Sequence, residues 1–302
     1  MAYNTISIDG IELSEFGVFL APDSYKSLLQ WSSLKPIQTN DWSEVDYIEP
    51  DLLNPVLDKR SVTLNFHANG LEGYERFIDH LTQKAVFMWN FADLGVNLNL
   101  RIANNNLKKT NEKWQSFSIT FIDDAPYTKS SVVYSHNYLG NDVLMIDAYN
   151  FGFFGISVLD GTLASMRQIG NVKERLTISA NNIDGVKYDT DGDVKIKSND
   201  FTIKCLLRAP NIKTAVSNYY ALLYYIRRSG LRRIVIKSNL KTFDCYYKSA
   251  TCENVHLKLA SGAAGIAFTI VFTVVGKGLL KIIGNDGANE YLTDEQGVFL
   301  AP

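Results

Sequence analysis

Apolar and polar positions alternate in four short runs: Val62, Leu64 and Phe66; Phe117, Ile119 and Phe121; Phe201, Ile203 and Cys205; Phe268, Ile270 and Phe272. A period of two puts every second side chain on one face, so each run predicts a strand with one buried side. The period changes to that of a helix after Asn69-Gly70, where Tyr74, Phe77, Ile78 and Leu81 share one stripe. A second helix is predicted from Thr214 as N-cap to Arg228, stopping at Gly230, with Val216, Tyr220, Leu223 and Tyr224 as its buried stripe. Residues 259–276 carry no charge over 18 positions, the lower limit for a membrane-spanning helix. Their β-branched and aromatic second half reads instead as a buried strand after a Gly/Ala/Ser loop.

The order of these elements repeats. Phe16-Gly17-Val18 recurs as Phe154-Gly155-Ile156, the run at 62–66 recurs at 201–205, Tyr74, Phe77 and Leu81 recur as Tyr219, Leu222 and Ile226, and Phe117–Phe121 recurs as Phe268–Phe272. The spacing only grows along the chain, as it does when loops lengthen in a second copy of one unit. In the first copy the run matching 268–272 lies between Lys113 and Asp123-Asp124. Those charges forbid a span there, so the second copy is read as a strand too. The fold class is therefore α+β, mostly β: two tandem β-sandwich or barrel domains, each with one covering α-helix. The boundaries expected are 1–126 for the first domain, 127–147 for a linker, 148–276 for the second domain and 277–302 for a C-terminal extension.

Composition narrows the function. Among 302 residues, 30 Lys and Arg against 32 Asp and Glu give a net charge of −2, which argues against a protein that holds nucleic acid by charge. A hydrophobic content of 46% excludes a mostly disordered chain. The 16 Tyr and 16 Phe favour strands, and the three cysteines, Cys205, Cys245 and Cys252, are neither a disulfide framework nor spaced as a zinc site. The first ten residues lack the basic and apolar regions of a secretory leader.

Catalytic patterns are not found, so no enzyme activity, cofactor or metal is expected. His67, His80, His136 and His256 belong to no metalloprotease, zinc or nucleophile-elbow motif and read as surface or satisfied core residues. In Asp189-Thr190-Asp191-Gly192-Asp193 the glycine is fourth and position twelve is Asp200, so the calcium-loop pattern fails and a hairpin turn is the reading. Arg227, Arg228, Arg232 and Arg233 cluster after the second helix. They suit either cations at a helix C-terminus or ion pairs across a subunit interface better than nucleic-acid contact. Trp31, Trp42, Trp89 and Trp114 all lie in the first copy. Packing at a core or interface is the reading; a sugar-stacking platform, hence a carbohydrate-binding baseplate module, is the alternative.

The opening Ile6-Ser-Ile-Asp-Gly-Ile-Glu-Leu-Ser-Glu-Phe-Gly-Val-Phe-Leu20, followed by alternating strands, one helix and an F-x-I-x-F strand, resembles distal tail proteins of long-tailed phages and the wider tail-tube fold. The resemblance covers about residues 5–126 and 148–276. It implies two tube-like domains in a ring-forming structural protein of a phage tail or phage-like injection apparatus, a distal tail or hub protein joining tube to tip or baseplate. The implied location is the virion tail, assembled in the bacterial host cytoplasm. The implied partners are copies of itself in a trimeric or hexameric ring, and the tube, tip or baseplate and tape-measure proteins. DNA would cross the lumen without specific binding, with no membrane insertion. Tandem domains favour a hub, in which three chains make a six-fold-like ring.

Two further features point to assembly. Residues 41–59 and 187–199 fall at the same place in each copy and are expected to project as arms onto a neighbouring subunit. Gly297-Val298-Phe299-Leu300-Ala301-Pro302 repeats Gly17-Val-Phe-Leu-Ala-Pro22. An identical strand word at the end of an extension is expected to add to a sheet outside its own core.

Overall fold

The structure is a computed structural model that describes residues 6–108, 114–126, 140–147, 149–174, 177–179, 181–182, 184–188, 193–259, 262–279, 281–285, 290–293 and 299–300. The first copy contributes strands β1 (Ile6–Ile8), β2 (Ile11–Glu12), β3 (Val18–Leu20), β4 (Arg60–Asn69), β5 (Val86–Phe91), β6 (Val96–Lys108) and β7 (Trp114–Asp123). The second contributes β8 (Leu144–Ile146), β9 (Tyr149–Asn150), β10 (Ile156–Val158), β11 (Asp200–Ala209), β12 (Arg232–Ile236), β13 (Lys241–His256) and β14 (Ala264–Leu279). Each set forms one seven-stranded sheet, in the orders 2-1-5-6-7-4-3 and 9-8-12-13-14-11-10. The two orders are the same once each strand is matched by rank. The second sheet reaches back into the expected linker, because Leu144–Ile146 is one of its strands.

Register repeats as well as order. Val18 faces Ala68 and Leu20 faces Phe66 in the first sheet; Ile156 faces Leu207 and Val158 faces Cys205 in the second. Phe66 pairs with Phe117 as Cys205 pairs with Phe268. A one-residue slip would turn every core side chain to solvent, so shared register means shared core positions. A bulge falls at the same place in both sheets, at Ala103 between Ile102 and Asn104 and at Lys248 between Tyr247 and Ser249. Positive φ at Gly17 (70°) and Gly155 (76°) turns the chain into β3 and β10, and the carbonyls of these glycines accept from Asn69 N and Arg208 N. Only glycine takes that backbone without strain.

Helices α1 (Ser24–Leu28) and α3 (Thr162–Met166) lie over these sheets through paired hydroxyls. Ser24 Oγ and Ser27 Oγ accept from Asn65 N (2.8 Å) and Thr63 N (2.7 Å). Thr162 Oγ1 and Ser165 Oγ accept from Lys204 N (3.0 Å) and Thr202 N (2.9 Å). Each hydroxyl satisfies a strand N–H that has no ladder partner there. The long helices α2 (Gly70–Thr82) and α4 (Ile212–Ile226) cover the cores with Phe77 and Leu81, and with Val216, Tyr219, Leu222 and Ile226. The cap of α4 is Asn211, whose side chain accepts from Thr214 N at 2.9 Å, so Thr214 lies inside the helix and is not its cap. Tyr224 is exposed and Tyr219 takes its place in the stripe, since the buried face is set by β14 rather than by the next turn.

Asp9 and Asp147 hold equivalent tight turns with φ of 52° and 50°. Their carboxylates accept from Met88 N and Arg233 N. At Asp9 burial pushes the pKa up, but Lys84 at 2.6 Å, the Met88 N–H and His80 outweigh it, leaving the pKa below the usual carboxylate value. A depressed folded pKa gives stability that is present above the unfolded value and lost as pH falls through the folded one. Asp9→Asn should therefore lower the urea midpoint at about pH 6, with the difference from wild type narrowing as pH falls below about 4. A gap independent of pH would contradict this. Ser27→Ala and Ser165→Ala each orphan one strand N–H, and each should cost about 1 kcal/mol in chemical denaturation.

Candidate functional site: the arm and its seat

The described residues place no three His, Cys, Asp or Glu side chains together as a metal site, and all three cysteines are free and buried. No helix of the described residues is long and apolar enough to cross a membrane. The feature that stands out is the segment leaving α1, residues 29–59, which crosses from the first sheet onto the second. Its backbone is folded back on itself, with Lys35 N donating to Val56 O and Asp58 N to Ser33 O, both at 2.9 Å, and a short ladder of Thr39 with Pro50 and Asn40 with Glu49.

At the root of this arm stands Arg60, on β4. Its guanidinium pairs with Asp123 Oδ2 at 2.9 Å and donates to Leu28 O (3.1 Å) and Gln30 O (2.6 Å). Burial works against its charge; Tyr220 of the second copy and Asp123 outweigh that and hold its pKa above the usual arginine value. A buried ion pair stabilises little on balance against apolar packing, but removing one partner is costly. Its role here is directional: it fixes where the arm departs.

From this root the arm enters the second copy. Trp31, only 2% exposed, lies 4.4 Å from the Tyr219 ring, 5.7 Å from Phe268 and 6.1 Å from Tyr247, measured between centroids. Beneath it Tyr219 and Phe268 meet edge to face at 4.8 Å. Strand β13 pairs with β12 only over Lys241–Cys245, so beyond that it has a backbone edge to satisfy. Gln30 does so with one amide, accepting from Cys252 N at 2.9 Å and donating to Ala250 O. Leu34 N donates to the bulged Lys248 O (3.1 Å), and Tyr247 Oη donates to Ser32 O (2.7 Å).

The arm's outer part clasps the second copy again. Lys173 Nζ sits among Trp42 O (2.7 Å), Tyr47 O (2.8 Å) and Asp41 Oδ1 (2.5 Å). Tyr47 N donates to Ile196 O, and Ile196 N donates to Asp46 Oδ1 at 2.7 Å. Residues 41–59, expected on a neighbouring subunit, thus lie on the second copy of their own chain. Tandem linkage makes that copy the nearest neighbour. A cavity of about 590 Å³ lies beside the joint between β6 and α4, with Leu98, Asp123, Lys213 and Tyr220 in its wall.

The residues singled out from sequence fall apart into separate places. Arg232 is buried and pairs with Asp147 at 2.9 Å, and Arg233 pairs with Asp244 at 2.8 Å. Both are partners of carboxylates in their own sheet. Arg228 stacks over Tyr225 at 4.0 Å and Arg227 over Tyr224 at 5.6 Å. Trp89 belongs to the first core, Trp31 to the second and Trp42 to the exposed arm, so these three line no common pocket; the Trp114 side chain lies outside the described residues. His67 meets Ser116 Oγ at 2.9 Å and His80 packs on Phe16 and Phe87, while His136 lies outside the described residues. The turn at 189–192 lies outside them too, as do Gly297 and Val298. Phe299–Leu300 pairs with Thr293 and Leu292 in a small sheet of the extension itself, rather than with an edge of either large sheet. Gln30 and Arg60 carry no signal in the sequence, because a lone Gln-Trp between Leu28-Leu29 and Ser32-Ser33 shows no period.

No family model matches the chain, and no curated protein matches it. Among solved structures it is similar to the crystal structure of the SPP1 Dit (gp 19.1) protein, described as a paradigm of hub adsorption apparatus in phages infecting Gram-positive bacteria. Identity is 11%, the TM-score is 0.29, and the match covers 91% of this chain and 99% of that one.

Replacing Trp31 by Ala empties a buried aromatic site, at a cost of about 3–5 kcal/mol. The loss should appear as amide exchange that speeds up around Tyr219, Tyr247 and Phe268 before it does in the first sheet. Uniform acceleration over both sheets would show that the arm is not a separable joint.

Proposed function

We propose that this chain is a structural, ring-building subunit of a phage tail or phage-like injection apparatus, of the distal tail or hub kind, joining the tube to the tip or baseplate. The observation that supports this reading is the arm-and-seat joint between two like sheets. The first copy gives an arm and the second receives it, so the contact is heterologous, and a heterologous contact repeated through a rotation that divides a full turn makes a ring. Three chains would set six like sheets around one axis, and six chains would set twelve. Near-neutral charge suits a lumen through which DNA or a tape-measure protein passes without specific binding. The tube, tip or baseplate proteins would meet the two faces of such a ring. The carbohydrate-module alternative draws no support from Trp31, Trp42 and Trp89, which share no pocket.

Immunogold labelling of phage particles from the producing strain, with antibody raised against the purified chain, tests this role. Gold confined to the tail, at one end of the tube, is the expected result. Label on the capsid, or a chain recovered only apart from particles, would overturn it.

A further inference from the structure

The second copy carries an arm built like the first, and Ile169 and Val172 at its start are exposed. It leaves α3 at Met166 as the first leaves α1 at Leu28, both buried. Lys173 N donates to Lys195 O (2.8 Å) and Lys197 N to Asn171 O (2.7 Å), matching the two bonds of the first arm. Leu34 bridges Leu57 as Val172 bridges Ile196, and the ladder of Thr39–Asn40 with Glu49–Pro50 recurs as Thr177–Ile178 with Lys187–Tyr188. The root is pinned in the same place, since Asn199, at the position of Arg60, donates to Gln168 O, which also accepts from Lys277 Nζ at 2.9 Å. Rank by rank, Gln168 stands for Gln30, Ile169 for Trp31 and Val172 for Leu34. Trp31 is 2% exposed in its seat, whereas Ile169 is 74% and Val172 56% exposed.

The first copy, for its part, has a matching seat, and among the described residues no aromatic ring other than Phe117 packs on Tyr74. Tyr74 and Phe117 meet edge to face at 4.9 Å and 78°, as Tyr219 and Phe268 meet at 4.8 Å and 76°, but Tyr74 is only half-buried. Strand β6 pairs with β5 only over Val96–Arg101, so among the described residues nothing pairs with the backbone edge at 103–108, the edge that Gln30 and Leu34 cover in β13, with the bulge again at its start. Lys35, the counterpart of the clasped Lys173, is exposed.

We infer that the arm of the second copy, led by Gln168, Ile169 and Val172, docks on the Tyr74–Phe117 seat and the open edge of β6 in the first copy of another molecule of this chain. The inference rests on the ring reading and names its interface. Ile169 would lie over Tyr74 and Phe117, and the Gln168 amide would bracket the backbone at residues 105 and 107, the counterparts of Ala250 and Cys252. Val172 N–H would take the carbonyl of Ala103. Every chain then gives one arm and receives one, and no seat is left over in a closed ring. Apolar faces of this kind, left bare beside an unpaired strand edge, are what a partner covers.

The test uses the full chain. Ile169→Asp, at an exposed position, should keep the wild-type melting temperature while weakening association by about tenfold or more in sedimentation velocity. Ile169→Trp, which restores the residue of the first arm, should tighten it. Separately, chains carrying Ile169→Cys and chains carrying Tyr74→Cys are mixed and oxidised. The native cysteines are buried, with the Cys252 thiol pushed up to about 12, and do not compete. A disulfide dimer from the mixture, with none from either variant alone, is the expected result. An oligomer unchanged by Ile169→Asp with no mixed dimer would overturn the inference and leave the ring reading standing. Wild-type chain that stays monomeric at all concentrations would overturn both. Self-paired Ile169→Cys dimers would show a two-fold contact instead and overturn it as well.

Discussion

Trp31 does not belong to the core of the sheet that precedes it. Its burial against Tyr219, Tyr247 and Phe268 makes one body of two sheets that could each enclose their own apolar face. An aromatic of this size removes roughly 150–250 Å² from water, worth a few kcal/mol. The hydrogen bonds of Gln30 and Leu34 add about 1 kcal/mol each at most, and the Arg60–Asp123 pair roughly breaks even. Packing therefore supplies the strength of the joint. The polar groups supply its direction and register, because each is bound to a backbone group at one fixed position.

The two copies differ where this joint is made and agree where it is not. Sheet order, pairing register, the αL glycines, the αL aspartates and the hydroxyls under α1 and α3 are held in common. These are backbone constraints, and each would be broken by a shift of one residue. The differences gather on the arm and its root: Trp31 against Ile169, Arg60 against Asn199, a covered aromatic pair against an open one. Helix docking shows the same economy. Gly73 lets α2 approach Phe16 O so closely that a Cβ would stand 2.6 Å from it, whereas Asn218 of α4 donates to the equivalent Phe154 O at 3.2 Å.

Much of the sheet architecture was legible in the sequence because strands of period two with aromatic residues announce their faces. The runs at 62–66 and 201–205, and at 117–121 and 268–272, stand at matching register positions in the two sheets. The turn pair Asp9 and Asp147 and the hydroxyls of Ser24, Ser27, Thr162 and Ser165 were missed, since single polar residues in short elements carry no period. For the same reason Leu144–Ile146 reads as linker in the sequence: three residues are too few to show alternation. The first arm has its place in the sequence but not its target, because sequence gives the place of a loop and not what lies beneath it. The arginine cluster divides in the structure. Of four cations expected at a helix end or in ion pairs across an interface, Arg232 is drawn inside by Asp147, a carboxylate 85 positions away.

The claim that organises this account is that one joint, made once within the chain, is made again between chains. A cryo-electron reconstruction of the assembled protein at side-chain resolution tests it most directly. The account predicts a closed ring in which Ile169 of each chain covers Tyr74 and Phe117 of the next, in the pose that Trp31 takes over Tyr219 and Phe268. A particle whose chains meet through other surfaces, with Tyr74 and the edge at 103–108 open to solvent, would contradict it.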